Sequence, residues 1–487
     1  MSIQTAEKNK IVLHLTRVWL WTQLLGLPLA LYNGFFDITE VKTVWYVVST
    51  VLYLLGRGVC AIQFGASGQR RLTPGGICAL AFCFVSLLGS IGSGFFPASF
   101  IGAQGRWQGT GMFWLYAAAW FSLQNVPLRQ KDVLSPLAAG LSITAGLAVL
   151  NHLGVDPLRL EASLTSFDRG RYISTLGNID FAGAYFSLTL PVMGWALLTG
   201  ETPSRRALWG AVYALGLWAV MAVRSEAALL GLGVGLAAMP FALRDKSELE
   251  RWGGLVSANV VWMTLYRLLA GQSGAYLSAL TRLLLLPASV AGIAVLGAGL
   301  FLLARNSPDA GRFRRRYSAA LAAALGLCAL ALVLLNTVLS SVPLGALEDW
   351  LRFGDAWGTD RVRVWRHCLR LRGHFNVWEK LFGGGCGILS WMDARDRVFD
   401  DAILDTAHSE YLQILLNWGW LGLLSYLGWL GLSVREGLRR GGALALALLA
   451  GLAAYGAQAL VNIAQAPGIM LFFTLLSAQR TIPERAR

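Results

Sequence analysis

His408 is the residue of this chain best placed to act as a general base. It lies in the sequence Ala407-His408-Ser409-Glu410-Tyr411-Leu412-Gln413, at the mouth of an apolar run at 411–433. An imidazole can remove a proton from a hydroxyl group at neutral pH. A titratable group at the end of a membrane span is costly unless it is used or well solvated. The alternative is an interfacial histidine that hydrogen-bonds to a loop, and spacing alone leaves both interpretations open.

Three arginines could provide fixed positive charge near such a base. Arg361 precedes a basic stretch, Arg171 lies just ahead of an apolar run at 179–199, and Arg224 lies between two apolar runs. A guanidinium group stays charged and can bind two oxygens of a pyrophosphate at once. The alternative is that each arginine anchors the chain at lipid phosphates.

Other polar groups favour structural roles. Asp400, Asp401 and Asp405 could hold a metal ion, but they have no companion histidine, and we expect neither a metal site nor a cofactor. The sequence Phe382-Gly383-Gly384-Gly385-Cys386-Gly387 lacks the Lys-Ser/Thr of a P-loop and predicts a tight turn. Cys368 and Cys386 share one polar segment, so a disulfide between them stays open as the less favoured alternative.

The elements that must position these residues are membrane helices. The chain of 487 residues is 55% hydrophobic and 14% charged, with a mean hydropathy of +0.55. Soluble domains contain about 25% charged residues. We predict an all-α polytopic bundle of about 12–14 transmembrane helices with one large outer loop. The apolar runs are 11–31, 43–64, 76–97, 109–126, 133–152, 179–199, 207–223, 226–243, 252–270, 284–304, 318–340, 411–433, 443–462 and 466–480.

The positions of the charges predict the topology. The net charge is +14, but the basic residues cluster in alternate loops, which is typical of a membrane protein and argues against a nucleic-acid partner. The positive-inside rule then places both termini in the cytoplasm and 341–410 outside. The predicted units are 1–340 with about eleven spans, the outer catalytic loop 341–410, and 411–487 with the last spans and a short tail.

The outer loop begins with a basic amphipathic stretch. Val362, Trp365, Leu369 and Phe375 are predicted to share one face, which we expect to lie along the outer membrane–water boundary. The other faces carry Arg363, Arg366, Arg370 and Arg372. Arg17, Arg57 and Arg267 lie inside apolar runs and are expected to form pairs or to extend to the interface.

Two blocks of this sequence resemble the O-antigen ligase and polymerase superfamily, which includes protein O-oligosaccharyltransferases. The first combines Arg361-x3-Trp365, the glycine-rich turn, Ala407-His408-Ser409-x-Tyr411-Leu412-Gln413 and Asn417-x-Gly419-x2-Gly422-Leu423-Leu424. The second is Arg171-x3-Thr175-x-Gly177-Asn178-x-Asp180-Phe181-Ala182, followed by Leu190-Pro191.

The resemblance implies an inverting, metal-independent glycan transfer at the outer face of a bacterial inner membrane. The donor would be a glycan on undecaprenyl pyrophosphate, and the acceptor a glycan or a lipid A-core-type molecule among the membrane lipids. His408 would activate the acceptor hydroxyl, and Arg361, Arg224 and Arg171 would hold the pyrophosphate. Tyr411, Gln413, Asn178 and Arg363 would support the loop. The family's Ser-Arg pair is replaced by Ser225-Glu226, so that Glu226 stands where the arginine would fall and Arg224 lies two places before it.

The motifs leave the exact activity open. A ligase transfers a finished glycan and a polymerase extends one, and protein glycosylation is a third possibility within the same superfamily. A flippase for lipid-linked glycans is less favoured, because the sequence shows no evident internal repeat. A structural or regulatory membrane protein ranks lower still, because of the histidine block.

Overall fold

The protein is mostly helical. A computed structural model describes residues 3–65, 72–124, 126–165, 168–273, 277–399, 403–479 and 481–483. It is 75% helix and 2% strand, which confirms the all-α class. Within these residues, seven helices are long and apolar enough to cross a membrane. Each apolar run predicted from the sequence contains an α-helix, whereas the predicted count of 12–14 spans stays a prediction.

The elements follow one another in chain order. The longer α-helices are α1 (Ile3–Trp21), α3 (Ile38–Phe64), α4 (Pro74–Gly92), α6 (Thr110–Ser122), α7 (Gln130–His152), α8 (Ile179–Thr199), α9 (Pro203–Val223), α10 (Glu226–Ala238), α11 (Lys246–Ser273), α13 (Pro287–Arg305), α14 (Ala310–Asn336), α16 (Trp357–Gly373), α19 (Glu410–Arg439), α20 (Ala443–Gln458) and α21 (Gly468–Ala478). The short ones are α2 (Leu27–Leu29), α5 (Phe96–Ile101), α12 (Ala279–Leu284), α15 (Glu348–Leu351), α17 (Val377–Phe382) and α18 (Ile388–Asp393). The described part of the chain also forms four two-residue strands, β1 (Pro127–Leu128), β2 (Tyr172–Ile173), β3 (Gly177–Asn178) and β4 (Ile482–Pro483). β1 pairs parallel with β4, and β2 pairs antiparallel with β3.

Helix α8 forms the centre of the bundle. Almost every side chain from Phe181 to Leu198 is buried, and α8 packs against α7, α9, α10, α20 and α21. A helix that is apolar on all faces is shielded from water either by other helices or by lipid, and around α8 the shielding comes from other helices. Small residues allow this close packing, because a Cβ atom at Gly451 of α20 would collide with the carbonyl of Leu188.

Helices α13 and α14, in contrast to α8, are almost entirely exposed on the surface of the protein. Only 11% of the most apolar 18-residue stretch of α13 is buried inside the protein. In α14 none of the corresponding stretch is buried. Their exposed surface is leucine-, valine- and alanine-rich, as expected for helices in contact with lipid.

The arginines inside the apolar runs are paired. Arg17 forms an ion pair with Asp132 at 3.0 Å. Arg57 donates to the Ser122 carbonyl at 2.8 Å, and Arg267 donates to the Leu285 carbonyl at 2.8 Å. The pairing interpretation of these residues is therefore confirmed.

The segment between α14 and α19 folds around its own small core. One face of α16 contributes Val364, Cys368 and Leu371, followed by Phe375. They pack against Ile388, Leu389, Val398, Leu404, Ala407 and Leu416. Cys368 and Cys386 are both free thiols, so the disulfide alternative is wrong.

The predicted face of the amphipathic stretch was partly wrong. Leu369 is 55% exposed, whereas Val364 is buried. The helix ends at Gly373, and a separate short helix, α17, begins at Val377. The apolar positions of α16 are used for protein packing, so the buried set follows the i, i+4, i+7 spacing of residues 364, 368 and 371.

Candidate active site

Residues from four separate segments come together around Arg361. This arginine begins the regular part of α16, after three residues with left-handed backbone angles at Gly358, Thr359 and Asp360. Its Nη2 lies 3.9 Å from Oδ1 of Asp180 in the first turn of α8. Glu226, the first residue of α10, and His408, just before α19, are both within electrostatic range of the Arg361 guanidinium. The two resembling blocks of the sequence are thus spatial neighbours.

His408 is presented by a strained turn. Its φ is +46°, a left-handed conformation that a residue with a Cβ adopts only when its surroundings enforce it. Those surroundings are hydrogen bonds to the preceding residue. Gln413 Oε1 accepts from the Ala407 N–H at 2.8 Å, and the Ala407 carbonyl accepts from Trp365 Nε1 at 3.0 Å. Gln413 on α19 and Trp365 on α16 therefore fix the turn from both sides.

The next residues anchor this turn in the bundle. Ser409 caps α19, since its hydroxyl accepts from the Leu412 N–H at 3.4 Å. The buried Glu410 accepts hydrogen bonds from the hydroxyls of Tyr426 and Tyr455. Its own N–H lies 2.9 Å from both the Ala459 and the Asn462 carbonyl oxygens. His408 is thus two residues from a carboxylate locked to α19 and α20.

The surroundings of His408 favour its neutral form. Burial lowers the pKa of its imidazole, and the positive charges of Arg361 and Arg106 lower it further. The carboxylates of Asp180 and Asp405 act in the opposite direction without reversing the shift. A neutral imidazole at physiological pH can accept a proton, which is the state that a general base requires.

Arg361 is a largely buried cation whose guanidinium N–H groups are only partly paired with acceptors. Only 14% of its side chain is exposed. Its Nη1 donates to the Gly358 carbonyl at 2.6 Å and to Thr359 Oγ1 at 3.3 Å. Its Nε is buried, and no described residue accepts a hydrogen bond from it. At 3.9 Å the contact with Asp180 is loose, so an incoming anion could compete for this guanidinium.

The other predicted arginines have different surroundings. Arg224 ends α9 with a φ of +58°, donates to the Gly170 carbonyl and lies within electrostatic range of Tyr266. Arg171 is exposed, and its carbonyl accepts from the Ile179 N–H at 2.9 Å. Arg363 is exposed, donates to the Val398 carbonyl at 2.7 Å and stacks on Phe399 at 4.9 Å. Of these arginines, Arg361 both contacts Asp180 and lies within electrostatic range of His408.

The predicted supporting residues hold the backbone. Asn178 caps α8 through a 2.8 Å hydrogen bond from the Asp180 N–H to its side-chain oxygen. Tyr411 donates its hydroxyl to the Gly456 carbonyl at 2.8 Å. Gln413 also donates to Asn417 Oδ1 at 3.0 Å. These contacts position Asp180 and the His408 turn.

The acidic residues considered as metal ligands have other roles or lie outside the described part. Asp405 forms a bidentate ion pair with Arg106, in which both hydrogen bonds are 2.9 Å long. Asp400 and Asp401 lie outside the described residues. Within the ranges that the structure describes, no three His, Cys, Asp or Glu residues are grouped as metal ligands would be.

Sequence reasoning missed the buried residue that organises the loop before His408. Asp393 is fully buried, and its carboxylate accepts from the N–H groups of Val398 at 3.1 Å and Leu404 at 2.6 Å. Nε2 of the buried His367 lies 2.9 Å from the same carboxylate. In the sequence, Asp393 stands among charged residues that resemble a solvated loop, so nothing there distinguished it.

Comparison with known families and characterised proteins gives no match.

Proposed function

We propose that this protein is an O-antigen-ligase-like glycosyltransferase of a bacterial inner membrane. It would move a glycan from an undecaprenyl-pyrophosphate carrier to an acceptor hydroxyl at the outer face, in the biosynthesis of lipopolysaccharide or another cell-envelope polysaccharide. The observation that carries the proposal is that Arg361 contacts Asp180 and that both lie within electrostatic range of His408. These three residues come from the two sequence blocks that resemble that superfamily.

The proposed reaction uses His408 as base and Arg361 as anion ligand. The imidazole takes the proton of the acceptor hydroxyl while the oxygen attacks the anomeric carbon from the face opposite the carrier. The bond from the anomeric carbon to the phosphate oxygen breaks, and its electron pair leaves with undecaprenyl pyrophosphate. Attack from the opposite face inverts the anomeric configuration. No metal or cofactor takes part in this scheme.

Arg361 would act where negative charge develops. A fixed cation in a site with little water stabilises a departing pyrophosphate more strongly than bulk water does. The unpartnered Nε and the loose Asp180 contact leave this guanidinium with capacity for phosphate oxygens. Arg224 and Arg171 stay candidates for a second phosphate contact, which the donor's second phosphate would need.

Glu226 changes the electrostatics of the proposed site. It stands where the superfamily's arginine would be, and it lies within electrostatic range of Arg361. Together with Asp180 it offsets the charge of this arginine. We expect Glu226→Gln to bind donor more tightly, by about fivefold, because a competing carboxylate is removed.

A reconstituted transfer assay tests the function. Purified protein is mixed with a synthetic undecaprenyl-pyrophosphate-linked glycan and candidate acceptors, with EDTA present, and release of the carrier pyrophosphate is followed. We expect acceptor-dependent release that falls at least a hundredfold in His408→Ala, since general acid–base catalysis contributes about 10²–10⁴-fold. Arg361→Ala should lose about as much, as for removal of one oxyanion-stabilising group.

Matched controls are available on the same elements. His374→Ala and Arg366→Ala alter exposed residues of the α16 region and should retain activity. Product length separates a ligase from a polymerase, and a protein acceptor reveals a protein transferase. Activity that survives His408→Ala would disprove the catalytic assignment. Carrier movement across liposomes without any transfer would favour a flippase.

A further inference from the structure

The short helix α17, in the segment predicted to be outside, carries an exposed apolar face. Val377 is 74% exposed, Trp378 44% and Leu381 40%. These positions are i, i+1 and i+4, which cover only about 100° of the helix circumference. The structure describes all six residues of α17, and none of them is buried. A contiguous set of exposed aromatic and aliphatic side chains marks an interaction surface.

Helix α17 lies at the end of a candidate membrane span. It packs against α4 and α19. A Cβ atom at Gly92, the last residue of α4, would collide with the Trp378 indole. One at Gly89 would collide with the Phe382 carbonyl. Because α4 is one of the helices long and apolar enough to cross a membrane, Trp378 is expected at the level where this span leaves the bilayer.

The apolar face of α17 adjoins an exposed apolar stripe on α19. A Cβ atom at Gly419 would collide with the Leu381 carbonyl, so Trp420 directly follows the contact between the two helices. Trp420 is exposed, as are Leu424 and Leu427, at the i, i+4 and i+7 spacing of one helix face. This stripe lies in the predicted span 411–433, where an exposed apolar face contacts lipid. The apolar surface of α17 is therefore continuous with a surface predicted to face lipid.

Basic groups lie beside this apolar surface. The guanidinium group of Arg372 lies over the Trp420 ring, 5.2 Å from the ring centroid. The Lys380 side chain is exposed on α17 itself. Glu379 is engaged in the capping box of α17 with Asn376. Tryptophan rings beside lysine and arginine are typical of the membrane–water boundary, where the cations extend to lipid phosphates.

We propose that α17, together with Trp420, anchors the outer loop in the outer leaflet of a phospholipid bilayer. The apolar face of α17 would lie at the level of the lipid ester groups, with Lys380 and Arg372 reaching the phosphates. The apolar face of α16 is used in the small core of the loop, so α16 would remain in water. This inference needs only a membrane-embedded bundle and does not depend on the proposed glycan transfer.

The proposed anchor has a consequence for the position of the outer loop. The glycine-rich turn that follows α17 donates N–H groups of Gly384 and Gly385 to the carbonyls of Leu416 and Asn417 in α19. A membrane-bound α17 is thus tied on its C-terminal side to the same span that begins beside His408. The anchor would fix the height of the loop above the bilayer.

Spin-label accessibility in a bilayer tests the proposal. The full-length protein, in a background without native cysteines, is reconstituted into phosphatidylethanolamine–phosphatidylglycerol nanodiscs. A nitroxide is attached to Val377→Cys or to Leu381→Cys. The matched controls are Arg366→Cys, exposed on α16, and Leu424→Cys, exposed in the stripe of α19. Oxygen concentrates in the bilayer and a nickel chelate stays in water, so the ratio of their collision rates with the nitroxide reports its depth.

We expect both α17 labels to lie about 5–10 Å below the phosphates, as the apolar faces of interfacial helices do. The label at position 366 should be in water, and the label at position 424 should lie deeper than those on α17. Access of the nickel chelate to α17 equal to its access to position 366 would overturn the proposal. Shielding of the α17 labels from both reagents would also overturn it, since protein, such as a second copy of this chain, would then cover the face. If Leu381→Cys fails to fold, the more exposed Val377→Cys decides.

Discussion

At the scale of single residues, the charged groups around His408 determine how readily its imidazole is protonated. Arg361 and Arg106 disfavour the imidazolium, whereas Asp180 and Asp405 favour it. Arg106 and Asp405 are also paired with each other at the edge of the site. These two residues offer a way to change the pKa of His408 without touching the proposed phosphate ligand.

The pH dependence of transfer should report the His408 pKa. Since burial and the two arginines lower this pKa below 6.5, activity should rise with pH through a value under 6.5 and then level off. Arg106→Gln removes a repulsive charge and should move that rise to higher pH. Asp405→Asn removes an attractive charge and should move it to lower pH. Measuring kcat/KM from pH 4.5 to 8 checks both signs; shifts in the same direction would contradict the assignment.

Asp393 should be essential for the order of the loop before His408. Asp393→Ala would leave the N–H groups of Val398 and Leu404 without their acceptor. Each buried unsatisfied donor costs about 1–3 kcal/mol, so we expect a loss of roughly 3 kcal/mol. Limited proteolysis between residues 393 and 408 should accelerate. Asp396→Ala changes an exposed carboxylate nearby and should have little effect; equal sensitivity of the two variants would argue against this role.

At the scale of elements, the glycine turn and the break in α19 form one unit. The backbone of α19 is non-helical at Trp418 and Gly419. The break frees the carbonyls of Leu416 and Asn417, which accept from the N–H groups of Gly384 and Gly385 at 3.0 and 2.9 Å. The two glycine motifs of the sequence therefore pair with each other, which fixes the loop segment against the bundle.

Gly419→Ala should disrupt this unit. Gly419 has a φ of +65°, and a Cβ there would collide with the backbone of Leu381 and Gly383. We expect a loss of about 1–3 kcal/mol from the backbone strain, together with reduced transfer activity. A Cβ atom at Gly431 on the same helix would lie in open space. Gly431→Ala should therefore be neutral or stabilise the fold by up to about 1 kcal/mol. Thermal unfolding of both variants checks this, and equal midpoints would refute the pairing.

At the scale of the whole molecule, the charges in the loops and the position of the site make one topological prediction. Arg366 lies in the segment predicted to be outside, whereas Arg205 and Arg439 lie at helix ends predicted to be cytoplasmic. All three side chains are exposed, so a cysteine at each position would be accessible to a reagent on its own side.

Cysteine labelling in intact cells tests this topology. In a background without native cysteines, Arg366→Cys should react with a membrane-impermeant maleimide added outside. Arg205→Cys and Arg439→Cys should react only after permeabilisation. The free energy that favours this orientation comes from the excess of basic residues in cytoplasmic loops. The reverse labelling pattern would place the proposed site on the cytoplasmic face and exclude an outer-face transferase.

The sequence alone determined the helical class and the main candidates of the site. Apolar runs of membrane length specify helices because no other element satisfies every backbone group locally. His408 and Arg361 were identifiable because their residue types stand in motifs beside such runs. The buried face of α16 and the loop-organising role of Asp393 depend on partners up to tens of residues away in the chain. Only the tertiary structure decided those, because a buried polar group is defined by the atoms that reach it.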